Sequence, residues 1–385
     1  MNKEYFVNKL DTIKKANSFC QLNNIEHNGF LVHLDDREML NLASDDYLGL
    51  STNPRLKQEF SEQVDIMSLS YSAASSRLFS GNHNYYKLLE DDLCDMYDKE
   101  ASLVFNSAYH ANIGILPAIA TKHDLILVDK HVNVGIIDGT RLSEATVLNY
   151  RHLDYDNLRN LLIQNRDKYS NVFIVSESIF GLDGDIVDLQ ELYEIKNEFD
   201  VVLYIDESYA VGVRGTNGLG CSEEQACITG IDFIVASFGK AFASLGAFVV
   251  CDELYKEFLV NTQRSLIYTT ALPPINIAWS RFILKKMPEF YDLRIKLQNI
   301  SDRLRTVLMD NNFETRGDSH IIPMICGYND YSVEISNLLQ DNGFFVLPIR
   351  YPAVSKNDAR VKFSLNASIS EEDYECLFEC IDMLD

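Results

Sequence analysis

Hydrophobic residues recur at two spacings along this chain. Near the start, Tyr5, Phe6, Leu10, Ile13 and Phe19 fall at helical spacing and predict an amphipathic helix within residues 1–20. Leu31–Leu42 predicts a short hairpin about Asp35–Asp36, and Leu48–Ser51 a loop before a helix that opens at Pro54. Residues 68–76 hold five serines in nine positions. Leu69 and Tyr71 lie among them, so the stretch predicts a tight loop inside the fold and not a linker. From 85 to 270 helix and strand patterns alternate. Strands are predicted at 102–105, 125–128, 172–176, 201–205, 233–236 and 247–250, with helices at 88–96, 111–120 and 188–199. These strands are short unbroken runs rich in Val and Ile, the texture of strands buried on both faces between helices.

Beyond 280 the texture changes. A long helix over 284–309 leads to a strand at 319–326, a helix at 332–341, strands at 344–349 and 360–365, and a last helix at 370–384. The expected fold class is α/β. A mainly parallel sheet carries helices on both faces, and a smaller α+β domain follows at the C-terminus. The expected division is 1–50 for an N-terminal helix and short strands, 51–280 for the large domain and 281–385 for the small one.

Composition narrows the function. The 385 residues carry 34 Lys+Arg against 57 Asp+Glu, a net charge of −23. Such a surface repels phosphate backbones and anionic lipid, so neither nucleic acid nor membrane is an expected partner. No apolar run reaches the roughly 20 residues of a membrane span, and the start does not read as a signal peptide; a cytoplasmic location is expected. There is no CxxC pair and no HExxH motif, so no metal is expected. Cys376 and Cys380 read as small core residues on one helix face.

The candidate chemistry sits where strands end, because ligands of open α/β sheets bind beyond their carboxyl ends. Asp206 directly follows the apolar run Val201–Ile205. Lys240 is the only charge between Asp232 and Asp252. An isolated Lys in an apolar stretch is costly to bury, and burial makes its amine a nucleophile. An acid at one strand end and a Lys one strand–helix unit later fit pyridoxal 5′-phosphate, which needs an amine for its aldehyde and an anion opposite its pyridine nitrogen. Asn106–Asn112 opens a helix after a strand and offers N–H groups to a phosphate, with Ser237 adding a hydroxyl.

These motifs resemble the α-oxoamine synthases, a family of fold-type I pyridoxal-phosphate enzymes. The stretches that carry the resemblance are Ser44–Ser51, Ser75–Gly81, Phe105–Asn112, Glu177–Asp185, Asp206–Gly212, Ser237–Lys240 and Ile267–Pro274, in the family's order and over nearly the whole chain. The resemblance implies that Lys240 attaches the cofactor and that Asp206 keeps its pyridine nitrogen protonated. Ser107, Ala108, Tyr109 and Ser237 would hold the phosphate, with Glu177 also in the cofactor site. Thr269 or Thr270 would reach the partner's cofactor in a homodimer. The implied reaction condenses an amino acid, expected to be L-alanine, with an acyl thioester, expected to be pimeloyl on coenzyme A or acyl carrier protein, with loss of CO2. Asp45, Arg77, Arg350, Arg360 and Lys362 are the implied substrate-binding residues.

Five positions depart from the family pattern. Asn133 stands where a His stacks on the cofactor ring, and Tyr209 where a His bonds its phenolic oxygen. Asp45 replaces an Asn, Gly181 a Ser and Lys362 an Arg. Asn133 and Tyr209 are therefore candidate catalytic residues of altered character. An amide cannot act as an imidazole acid or base, and Lys offers a point charge where Arg offers a fork. Altered substrates, or a weakly active cofactor-binding relative, are the alternatives these changes open.

Overall fold

The computed structural model describes residues 3–16, 18–19 and 22–384. Cys20 and part of the expected first helix lie outside the described residues. The chain forms two compact units, one of residues 53–181 and 186–294 and one of 1–52, 182–185 and 295–385. The expected segment 1–50 thus belongs with the C-terminal part, because its strand Arg37–Asn41 takes Phe344–Phe345 as a parallel neighbour.

The larger unit is built on a seven-stranded sheet. Its strands in spatial order are Ala101–Phe105, Ala247–Cys251, Phe233–Ser237, Val202–Asp206, Val172–Glu177, Leu125–Asp129 and Thr146–Tyr150. The last five pair in parallel, while Ala247–Cys251 runs antiparallel to both its neighbours. Five of the strands are buried at every position, which is why they read as continuous apolar runs and not as alternations. Helices Ala108–Ile119, Val134–Leu142 and Leu189–Phe199 are among those joining the strands. Two of them approach closely: a Cβ on Gly139 would stand 2.3 Å from the carbonyl oxygen of Asn112, so glycine is what lets Val134–Leu142 pack onto Ala108–Ile119.

In the smaller unit, Leu31–Leu34 and Arg37–Asn41 form the expected hairpin. Its turn residues Asp35 and Asp36 have φ of 49° and 63°, the left-handed pair that a two-residue hairpin turn demands and that Asp tolerates. Val32, Met39 and Phe345 pack together beneath it. A second sheet, antiparallel, orders Ile321–Gly327, Ala359–Ser364 and Leu347–Ile349. Helix Lys3–Lys15 is the expected N-terminal helix, with none of its residues buried. On the last helix Cys380 is buried and Cys376 exposed.

Candidate active site

Parallel register places the acids side by side. Glu177 pairs with Asp206 at the carboxyl ends of adjacent strands, and both are 2% exposed. Neutral groups hold Asp206. Asn112 donates from Nδ2 to its Oδ2 at 2.7 Å, and the Ser208 amide donates to its Oδ1 at 2.8 Å. Asn112 is in turn fixed by the Tyr204 hydroxyl, which donates to its Oδ1 at 2.5 Å. In the sequence, Asn112 reads only as part of a helix N-terminus. It is a polar residue on an otherwise apolar helix, and its partners lie more than ninety positions away.

Glu177 accepts from the Asn133 amide at 3.0 Å and from Asn133 Nδ2. Burial first, and then the charge of Asp206, push its carboxyl up to about 8. Asn133 is the N-cap of helix Val134–Leu142: its Oδ1 accepts from Gly135 N at 2.9 Å and Ile136 N at 3.2 Å. Both ends of the amide are therefore engaged within the fold. This gives the residue a structural task that a His reading of the position does not foresee. A third acid, Glu207, is fully buried, accepts from Cys221 N, Ser222 N and Ser178 Oγ, and is raised chiefly by burial. Sequence reasoning does not single it out, since its donors come from other loops.

One strand further on, Lys240 follows Phe233–Ser237 and is half-buried. Its Nζ lies 2.9 Å from the centre of the Tyr209 ring. Ser237 Oγ accepts from Gly239 N at 3.0 Å. Ser107 caps helix Ala108–Ile119 and accepts from His110 N at 3.2 Å, so the first N–H groups of that helix are presented beside it. Ala108 is half-buried there, while Tyr109 is 46% exposed and donates to Asp138 at 3.0 Å. Asn106 ties this turn to the next candidates, donating to Thr270 O at 2.7 Å and to Thr269 Oγ1 at 3.3 Å.

The expected substrate residues fare differently. Arg77 is engaged inside the large unit, with Glu90 at 2.7 Å, Val104 O at 3.0 Å and Asn82 at 2.9 Å, and it lies over the Tyr86 ring. Arg360 is 1% exposed and bonds Asp183 and Asp358. Both arginines, expected to bind substrate, thus have acidic partners within the fold. Asp45 accepts from the Tyr47 hydroxyl at 2.9 Å. Lys362 is half-buried beside Leu347 and Pro323 in the small sheet. Arg350 lies 3.5 Å from the Phe19 carbonyl.

An amine, a buried acid bonded by amides, a helix N-terminus and two serine hydroxyls thus meet at the carboxyl end of one sheet. Ser208 Oγ is also buried there and has no hydrogen-bond partner among the described residues. That donor set fits a pyridine aldehyde bearing a phosphate.

The chain belongs to the aminotransferase class I and II family, whose model matches residues 37–381. Among the members it resembles are α-oxoamine synthases, pyridoxal-phosphate enzymes that transfer acyl groups. A protein of Haemophilus ducreyi named 8-amino-7-oxononanoate synthase is 42% identical over 385 residues, covering 98% of this chain and all of that one. The crystal structure of 8-amino-7-oxononanoate synthase from Francisella tularensis is 27% identical with a TM-score of 0.73, covering 89% of this chain and 96% of that one. Serine palmitoyltransferase of Sphingomonas wittichii shares the fold at a TM-score of 0.89 and 24% identity, over 98% of this chain and 96% of that one. The motif resemblance is borne out for family, fold and cofactor class.

Proposed function

We propose that the chain condenses L-alanine with a pimeloyl thioester, on coenzyme A or acyl carrier protein, as 8-amino-7-oxononanoate synthase does. The new bond joins the amino acid's α-carbon to the thioester carbonyl carbon; the thiol leaves and the α-carboxylate departs as CO2. The observation that carries this is buried Asp206, bonded by the Asn112 side chain and the Ser208 N–H, one strand away from Lys240.

Bound pyridoxal phosphate supplies an electron sink for the α-carbon. Asp206 would face the pyridine nitrogen and favour a proton there, and Asn112 and Ser208 fix the position of its carboxyl. Lys240 Nζ would hold the cofactor at its aldehyde and would move protons at the substrate α-carbon. The helix end at Ser107–Tyr109 and the Ser237 hydroxyl hold the phosphate. Thr269 and Thr270 serve the neighbouring subunit of a homodimer.

A second reading keeps the reaction class with another amino acid or acyl donor. The joint change at Gly181 and Tyr209 favours it.

The test is direct. The protein mixed with pyridoxal phosphate is expected to turn yellow, and borohydride reduction to fix the cofactor on the Lys240 peptide. L-Alanine with pimeloyl thioester is expected to release free thiol. A cofactor found on any other Lys sinks the site; thiol release only with a different pair of substrates selects the second reading.

A further inference from the structure

Two of the departures from the family pattern touch each other. A Cβ built on Gly181 would stand 2.3 Å from Cζ, 2.4 Å from Cε2 and 2.5 Å from the hydroxyl oxygen of Tyr209. No side chain fits there while the Tyr209 ring keeps its place. The backbone does not explain the glycine, since Gly181 is not among the residues with positive φ. Space is the remaining reason. A Ser at 181 and a Tyr at 209 exclude each other, whereas a Ser opposite a smaller ring does not meet this overlap.

The same ring faces the reactive amine. Lys240 Nζ is 2.9 Å from its centroid, and the face of an aromatic ring attracts a cationic nitrogen. Gly181 follows Phe180, which is 1% exposed, and Ile179 bridges Ile186, so the segment beside the ring is well anchored. Added volume at 181 would therefore displace the ring more readily than the backbone.

We infer that Gly181 and Tyr209 work as one unit: Gly181 clears the volume in which the Tyr209 ring seats against Lys240 and positions its amine for the cofactor. The inference rests on Lys240 being the cofactor lysine. Tyr209 then acts through its ring, as a positioning residue, where the family pattern has a hydrogen-bonding His. Gly181 is the silent half of the exchange.

The experiment is a double-substitution cycle on Gly181→Ser and Tyr209→His, with Tyr209→Phe as the conservative control. The readouts are the dissociation constant of pyridoxal phosphate, the rate at which the visible band develops when it is added back, and the position of that band. Gly181→Ser alone is expected to weaken cofactor binding about ten- to a hundredfold, the scale of an overpacked site, and to slow band development. Tyr209→Phe, which keeps the ring, should match wild type within about threefold in both and leave the band in place. The pair Gly181→Ser with Tyr209→His should recover most of the loss caused by Gly181→Ser, so the two effects do not multiply. The inference is overturned if Gly181→Ser behaves as wild type, if the two effects simply multiply, or if Tyr209→Phe is as impaired as Tyr209→His. Lys240→Ala separates the layers. A normal visible band in that variant would sink the site assignment itself, whereas its loss together with no coupling would sink the Gly181–Tyr209 inference alone.

Discussion

Two clusters of buried charge among the described residues are solved in opposite ways. In the small unit, Arg360 bonds Asp183 and Asp358, and Arg316 adds contacts to Asp358 at 2.9 Å and to Asp183 at 3.5 Å. Each acid there has a cation. At the strand ends of the large unit, Glu177 and Asp206 lie side by side, and the hydrogen bonds they accept come from amides. A buried pair that is neutralised on site is part of the frame. A buried acid that accepts from amides stays open to a group that arrives, and burial together with a like charge beside it raises its neighbour, as Glu177 is raised. The contrast separates architecture from chemistry more cleanly than residue type does. The family resemblance implies a substrate role for Arg360, and within the fold its partners are Asp183 and Asp358.

The first way to break the contrast is to remove that arginine. Arg360→Ala leaves two acids without their buried cation, a change that costs about 3–5 kcal/mol. Thermal or urea unfolding is expected to show a loss of that size. The Michaelis constant for the amino acid in the surviving folded protein is expected to stay near wild type. A variant with unchanged stability and a greatly raised constant would restore Arg360 as a substrate ligand and dissolve the distinction.

How much of this is legible in the sequence differs by region. The buried strands at 102–105, 125–128, 172–176 and 233–236 are each seen within two residues, because burial on both faces leaves no polar position to confuse the pattern. Thr146–Tyr150 is missed: it lies at the sheet edge, Thr146 and Asn149 are exposed, and the run is neither continuous nor alternating. Helix Val134–Leu142 is missed because Gly135 and Gly139 weaken its signal, and both serve packing. Lys240 and Asp206 stand out as lone charges at the ends of apolar runs. Asn112 and the contact of Gly181 with Tyr209 do not, since the partners are distant in the chain and meet only through the fold.

A second test sharpens the strand-end cluster through pH. Glu177 is raised from 4.5 to about 8 in the folded protein. Between those values the folded state holds a proton that the unfolded chain has released, so stability falls as pH rises through this window. Glu177→Gln keeps an acceptor for Asn133 but cannot titrate. In cofactor-free protein, melting curves of the variant and wild type are expected to lie close near pH 5 and to separate toward pH 8, with the variant the more stable. A gap that does not widen as pH rises would mean that the folded protein holds no extra proton at Glu177.

The smallest expected effect concerns Asn133, the residue on which the sequence and structural readings diverge most. Its Oδ1 accepts two N–H groups of the helix Val134–Leu142, and its Nδ2 donates to Glu177. Imidazole is a poor replacement, since it is not among the side chains favoured at an N-cap, and losing a cap costs about 1 kcal/mol. Asn133→Ser retains a capping oxygen and gives up only the bond to Glu177. The expected order of stability is therefore wild type, then Asn133→Ser, then Asn133→His, with the last lower by about 1 kcal/mol. The pH at which Glu177 titrates should rise in both variants, because each removes a donor that favours the carboxylate. If Asn133→His is as stable as wild type and also turns over faster, the cap is incidental. The position then faces the chemistry directly, as the family pattern has it, and the asparagine marks a loss of activity instead of a gain in structure.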